Sequence, residues 1–344
     1  MPLRDKRHRL ALALRSTGLL AAIERFARRP GLLVLCYHRI GDPSADPFYG
    51  PVFSATPSGF ADHLAMLKSR LRLLTLDEAT DLIASGRPLR DPCALITFDD
   101  GYRDNLTLAL PALHAAAAPA AFFLPTGFLD RPRPFWWDTA AYVIKQSRQA
   151  TLELDRPRIG PLPLATPADR DAAAIAAVLG FLPNADPPGA ADRFLDHLAD
   201  RTGVAPDPAA LGRQLFLTWD EARTLADAQG IGVGSHTVDH PKLAKLAAAD
   251  RRRELADSKA RLESELRRPV AAIAYPFGGP DAVDEPTAVD AASAGYRAGF
   301  TFRPGRWRRG DPLRVGRINV GSADSTALLR ARLALLAAAG RSPL

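Results

Sequence analysis

Ala94-Leu95-Ile96-Thr97-Phe98-Asp99-Asp100-Gly101-Tyr102 is an apolar run that stops abruptly at two carboxylates and a glycine. A short apolar run bounded by a turn signal marks a buried strand. Two adjacent acids at its end repel each other and need a cation or a shared proton to be stable. Gly101 permits a sharp turn, so that both side chains can reach the C-terminal mouth of a barrel. Taken alone, Asp99 and Asp100 read equally well as the cap of a helix over residues 105–116.

The same cadence continues on both sides of this stretch. Strands are expected at 32–37, 94–98, 120–124, 230–234, 270–275, 298–302 and 315–320. Amphipathic stretches at 57–70, 76–85, 105–116, 218–228, 249–266 and 285–294 predict helices between them. Seven or so parallel strands alternating with helices fit a distorted (β/α) barrel, closed or nearly closed, better than an open sheet. Residues 129–217 break the rhythm. Rich in Pro and Ala, with Phe135-Trp136-Trp137-Asp138 and a hairpin pattern at 151–164, they read as an inserted α+β subdomain. The expected order is an N-terminal amphipathic, basic helix over 1–30, the barrel with its insertion over 31–322, and a C-terminal helix over 323–344.

Composition narrows the class. The chain has 344 residues and is 47% apolar, enough for a real core and unlike a disordered or fibrous protein. Its net charge of +7 gathers in short arginine clusters that read as solvated faces. No zinc-finger spacing or aromatic-basic interleaving is present, so nucleic acid is not an expected partner. Cys36 and Cys93 each sit inside an apolar run and read as small core residues rather than a disulfide. Leu10–Ile23 is interrupted by Arg15, lacks a small-residue cleavage site and is too short to span a bilayer. Its basic flank suits peripheral contact with an anionic membrane, packing against the barrel being the competing role. The expected location is cytoplasmic or peripheral to the inner membrane.

A second constellation follows another strand: Gly234-Ser235-His236-Thr237-Val238-Asp239-His240-Pro241. Two histidines four apart can ligate one metal from the same side of a turn, although such a pair alone is often structural. Joined with the acids of the first stretch, Asp100, His236 and His240 supply three ligands and leave positions open for water and substrate, as a catalytic site requires. Zn2+ is the first expectation, and Co2+, Ni2+ or Mn2+ would also suit this donor set.

Thr97–Gly101 and His236–His240 resemble the first two signature motifs of the polysaccharide deacetylase (NodB-homology) superfamily, carbohydrate esterase family 4. Phe122-Phe123-Leu124-Pro125-Thr126-Gly127, Ala274-Tyr275-Pro276-Phe277-Gly278 and Ala294-Gly295-Tyr296 follow in the family's order. The resemblance implies that Asp99 is the general base and that Asp100, His236 and His240 are the metal ligands. It further implies that a backbone N–H in the turn around Phe277 helps to stabilise the oxyanion. No histidine follows His240, so the acid that protonates the leaving nitrogen is sought in Cys36-Tyr37-His38-Arg39-Ile40. That block is similar to the N-terminal Tyr-His block of a permuted branch acting on poly-N-acetylglucosamine, where this histidine, here His38, is the acid. A histidine merely hydrogen-bonded at the barrel rim is the alternative.

The arginine that usually orients the base is missing, Ala271-Ala272-Ile273 standing in its place. Arg317 is a candidate substitute, a surface cation or phosphate contact being equally open. Tyr102, Asn105, Trp136 and Trp137 are candidate sugar contacts, with core packing as the competing role of the tryptophans. His8, His63, His114 and His197 read as surface residues. The implied activity is metal-dependent removal of N-acetyl groups from amino sugars of a bacterial surface polysaccharide or its lipid-linked precursor. Two rivals stand beside it. A glycoside hydrolase needs carboxylates facing each other across the bond, and sequence neighbours are badly placed for that. A non-catalytic carbohydrate-binding barrel would leave the acid and histidine set unexplained.

Overall fold

The structure, a computed structural model, describes residues 30–155, 157–186 and 189–339. The expected N-terminal helix and His8 lie outside them. The chain divides into two compact units: one comprises the residues up to Gly41, Ser54–Asp130 and Leu217 onward, the other Asp42–Phe53 and Arg131–Phe216.

The larger unit is a (β/α) barrel. Its strands are β1 (Gly31–Tyr37), β2 (Pro92–Phe98), β3 (Ala120–Leu124), β4 (Ile231–Ser235), β5 (Ala272–Ala274), β6 (Ala298–Thr301), β7 (Val315–Gly316) and β8 (Ile318–Asn319). They run parallel in the order β1-β2-β3-β4-β5-β6-β7, and β8 returns to pair in parallel with β1. The expected last strand, 315–320, is therefore two pieces. Its first half continues the ladder from β6 and its second half joins β1, so the backbone crosses the barrel seam at Arg317.

Successive side chains of a strand point to opposite faces, and the apolar residues sort accordingly. Leu33, Leu35 and Tyr37 join Phe60 and Leu64 in the outer layer beneath the helices, whereas Leu32, Val34, Leu95, Phe123 and Phe300 share the inner cluster. Space inside is tight. A Cβ on Gly234 would stand 2.4 Å from the Phe123 ring, so this position accepts only glycine without repacking. The inner parity, continued past the strand ends, points Cys36, His38, Asp99, His236 and Phe302 toward the barrel mouth.

The expected helix at 105–116 opens with a wide π-turn over Asn105–Ala109 before the α-helix Leu110–Ala115. Pro111 lacks the N–H that a regular α-turn would use here, which accounts for the irregular start. His63, expected at the surface, is instead 1% exposed. The helix Pro57–Lys68 presents it inward on the stripe of Phe60, Leu64 and Leu67, where it meets Tyr37 Oη at 3.3 Å and the Asp324 carbonyl at 2.8 Å. Among the described residues no helix is long and apolar enough to cross a membrane.

Among the described residues the smaller unit packs the hairpin Thr151–Asp155/Arg158–Pro163 with four α-helices between Trp136 and Leu215. Phe181 and Phe194 stack at 4.1 Å, Trp136 meets both edge-on, and Trp137 stacks on Phe135 at 4.5 Å. Residues 42–53 belong here as well. The Tyr49 N–H donates to the buried Asp138 carboxylate at 3.2 Å, while Lys145 Nζ donates to the carbonyls of Asp46 and Phe48.

Candidate active site

Four strand ends bring the polar residues together. Asp99 and Asp100 follow β2, His236 and His240 follow β4, Cys36 and His38 lie at the end of β1, and Arg317 lies at the seam. Asp100 Oδ1 stands 3.3 Å from His236 Nε2 and 3.3 Å from His240 Nε2. All three side chains are buried, and their donor atoms lie within 4.8 Å of one another. His236 Nδ1 is 2.7 Å from the Ala274 carbonyl, which holds the proton on that nitrogen and turns Nε2 toward Asp100. A carboxylate and two imidazoles converging on one point, one of them fixed from behind, fit a divalent metal.

Asp99 has a different set of neighbours. Arg317 donates from Nη1 to Oδ1 at 2.7 Å and from Nη2 to Oδ2 at 2.6 Å, a bidentate fork between two side chains that are both essentially unexposed. The Cys36 thiol lies 3.4 Å from the same Oδ2. Burial opposes the charge on Asp99, but the guanidinium outweighs it and holds the carboxyl below the usual carboxylate range. For Asp100 burial is again opposed, here by hydrogen bonds from His236 and His240, and the carboxyl lies far below its ordinary value. The imidazoles diverge. Burial depresses both, yet the carboxylates of Asp99 and Asp100 lift His236 above its usual value, while burial prevails at His240 and lowers it.

The loops are held in demanding conformations. Asp100, Thr237, His240 and Phe277 all have positive φ, between 58° and 75°, in a region that non-glycine residues rarely adopt. The turn from His236 to His240 is tied down from several sides. The Thr237 N–H donates to Ser235 Oγ, the His240 N–H donates to Thr237 Oγ1, and the Val238 and Asp239 N–H groups both donate to one Glu254 oxygen at 2.8 and 3.0 Å. Gly127 makes room for this turn, since a Cβ there would come within 2.6 Å of Asp239 Oδ1.

The remaining sequence candidates are distributed as follows. His38 is partly exposed, its ring centroid 6.1 Å from that of Phe302, and its donor nitrogen lies in one cluster with Cys36 Sγ and an Asp99 oxygen. Phe277 is partly buried with its ring 5.0 Å from His240. Asn105 is fully buried and donates from Nδ2 to the His38 carbonyl at 2.7 Å, so it anchors the backbone of that residue. Tyr102 is also fully buried, beneath the Arg39 guanidinium. Trp136 and Trp137 pack inside the smaller unit as described above. Sequence reasoning missed Cys36 and Glu254. Cys36 was legible through the strand parity that puts residue 36 beside His38, whereas nothing in sequence linked Glu254 to the histidine turn.

Fold comparison places the barrel among deacetylases of known structure. The Streptococcus pyogenes deacetylase PplD, in complex with acetate, is similar with a TM-score of 0.57 and 19% identity over 88% of this chain and 97% of that one. IcaB from Ammonifex degensii is similar at 0.56 and 20% identity, covering 91% and 99%. In sequence, the polysaccharide deacetylase profile matches residues 86–154 and 186–299, and the chain belongs to that family. The Bacillus subtilis (strain 168) protein YxkH, which carries a polysaccharide deacetylase name, is 32% identical over 275 residues, 80% of this chain and 65% of that protein. Poly-beta-1,6-N-acetyl-D-glucosamine N-deacetylase of Escherichia coli (strain K12) is 25% identical over 103 residues, 30% of this chain and 15% of that protein. The chain thus spans just under two thirds of the one relative and a small part of the other.

Proposed function

We propose that the chain removes N-acetyl groups from amino sugars of a surface polysaccharide or its lipid-linked precursor, using a divalent ion held by Asp100, His236 and His240. The observation that carries this reading is the separation of two neighbouring carboxylates into unlike roles. Asp100 faces two imidazoles, and Asp99 faces Arg317 and remains beside them, 3.9 Å from His236 Nε2. A bound divalent ion would supply Lewis acidity at the acyl carbonyl. Asp99, kept ionised by Arg317, takes the proton of the attacking water. His38, partly exposed beside Asp99, gives a proton to the departing sugar nitrogen, because an amine leaves far more readily than an amide anion. The oxyanion that develops is met by the backbone at Phe277.

Family membership supports the reaction class, and the Escherichia coli relative supports a β-1,6-linked N-acetylglucosamine polymer as the first substrate to try, in keeping with the Tyr37-His38 block. Glycosidic cleavage is disfavoured because its two carboxyl groups must flank the bond about 5–9 Å apart. The deciding experiment is an acetate-release screen over N-acetylated oligosaccharides, free and lipid-linked, with zinc, cobalt, nickel and manganese in turn. Acetate without new reducing ends is the expected result; new reducing ends, or no acetate with any metal, would refute the proposal.

A further inference from the structure

A second group of metal-binding atoms adjoins the first. Cys36 Sγ, a His38 ring nitrogen and an Asp99 carboxylate oxygen lie within 4.8 Å of one another, and none of them belongs to the Asp100–His236–His240 set. Cys36 and Asp99 are fully buried, and His38 is the partly exposed member through which an ion would arrive. The 3.4 Å between Cys36 Sγ and Asp99 Oδ2, now bridged by the thiol proton, also suits two ligands of one tetrahedral ion, given bonds of about 2.3 Å to sulfur and about 2.1 Å to oxygen. We propose that Cys36, His38 and Asp99 form an inhibitory site for a soft divalent cation, cadmium or excess zinc. Binding replaces the thiol proton, which leaves to solvent, and joins the sulfur, the imidazole and Asp99 Oδ2 to the ion. Only its consequence for turnover rests on the hydrolase reading: the ion would occupy both the base and the acid of that mechanism.

Electrostatics sets the rank of the two sites. Arg317 faces Asp99 at 2.6 Å, and its positive charge opposes a cation there. Burial also favours the protonated thiol, so a proton must be displaced at a cost. The Asp100 set has no thiol proton to displace, and the Arg317 fork grips Asp99 rather than its members. It therefore fills first, and the Cys36 set fills only with excess metal. Softness gives it a distinct preference, since thiolate selects cadmium and zinc over manganese.

The test is equilibrium dialysis of the full chain against cadmium, with acetate release followed in parallel and scaled to each protein's own value at the first equivalent. Wild type is expected to take up a second ion, to show the ultraviolet thiolate-to-cadmium charge-transfer band with it, and to lose activity as it binds. Cys36→Ser is expected to lack the band, and its inhibition constant should rise by about tenfold or more. Cys93→Ser, altering the chain's other cysteine, should behave as wild type. A wild type that saturates with a single ion and shows no band, or a Cys36→Ser protein inhibited at the same cadmium concentration as wild type, overturns the proposal. The wild-type band needs no variant to fold. Absence of acetate release at every metal loading would count against the proposed hydrolase function alone, because dialysis and the band still decide the second site.

Discussion

Asp99 and Asp100 are chemically identical neighbours whose tasks are set by what surrounds them. One is clamped by a guanidinium and stays ionised in a buried place, and the other faces two imidazoles suited to share a cation with it. Asp99→Asn preserves shape but cannot take a proton; acetate release should fall by about 10²–10⁴-fold with metal content unchanged on elemental analysis. Arg317→Met leaves Asp99 buried without its partner, and breaking such a pair costs about 3–5 kcal/mol, readable as a lower urea-unfolding midpoint. Asp99, Asp100, His236 and His240 were visible in sequence because both pairs follow apolar strands; each pair alone also fits a structural role, and it was their combination and the family resemblance that pointed to a metal. Arg317 was a candidate partner for Asp99, with a surface cation or phosphate contact equally open, and its guanidinium lies on that carboxylate, whereas the contact of Cys36 with Asp99 was not anticipated. Both contacts depend on how the last strand crosses the seam and on the register of β1 against β2, which put residues far apart in sequence side by side.

Strands and helices were legible wherever hydrophobic periodicity was regular, and misread where a second demand intervened. The 315–320 stretch looked like one strand because its apolar residues are continuous, yet it must satisfy two different partners and breaks between them. The 105–116 stretch read as one helix, and its start is a π-turn because Pro111 lacks the N–H of a regular turn. At the site, turns matter more than strands. The His236–His240 turn, strained at Thr237 and His240, is held by Glu254, which accepts two of its N–H groups. Glu254→Ala should therefore weaken zinc affinity by about tenfold in a chelator competition while the far-ultraviolet spectrum is retained.

Across the whole molecule, the barrel could be foreseen from the alternation of elements and the 129–217 insertion from the break in it, but the share of residues 42–53 in the second unit could not. Residues 42–53 join it through backbone hydrogen bonds to Asp138 and Lys145, which carry no sequence periodicity. His63 shows how packing sets the acid limit of stability. Burial holds its imidazole below the ordinary 6.5, so the unfolded chain binds its proton first as pH falls. The stabilisation it permits is intact above that value and declines as pH drops toward the lower folded one. Melting temperatures from pH about 8 to about 5.5 should fall more steeply for wild type than for His63→Gln. The most direct test of the account is the metal content of purified protein at one equivalent of zinc, compared between wild type and Asp100→Ala, His236→Ala and His240→Ala. Wild type should retain the ion through gel filtration and release acetate, and each variant should lose both; a variant that keeps its zinc and deacetylates at the wild-type rate would contradict the shared site.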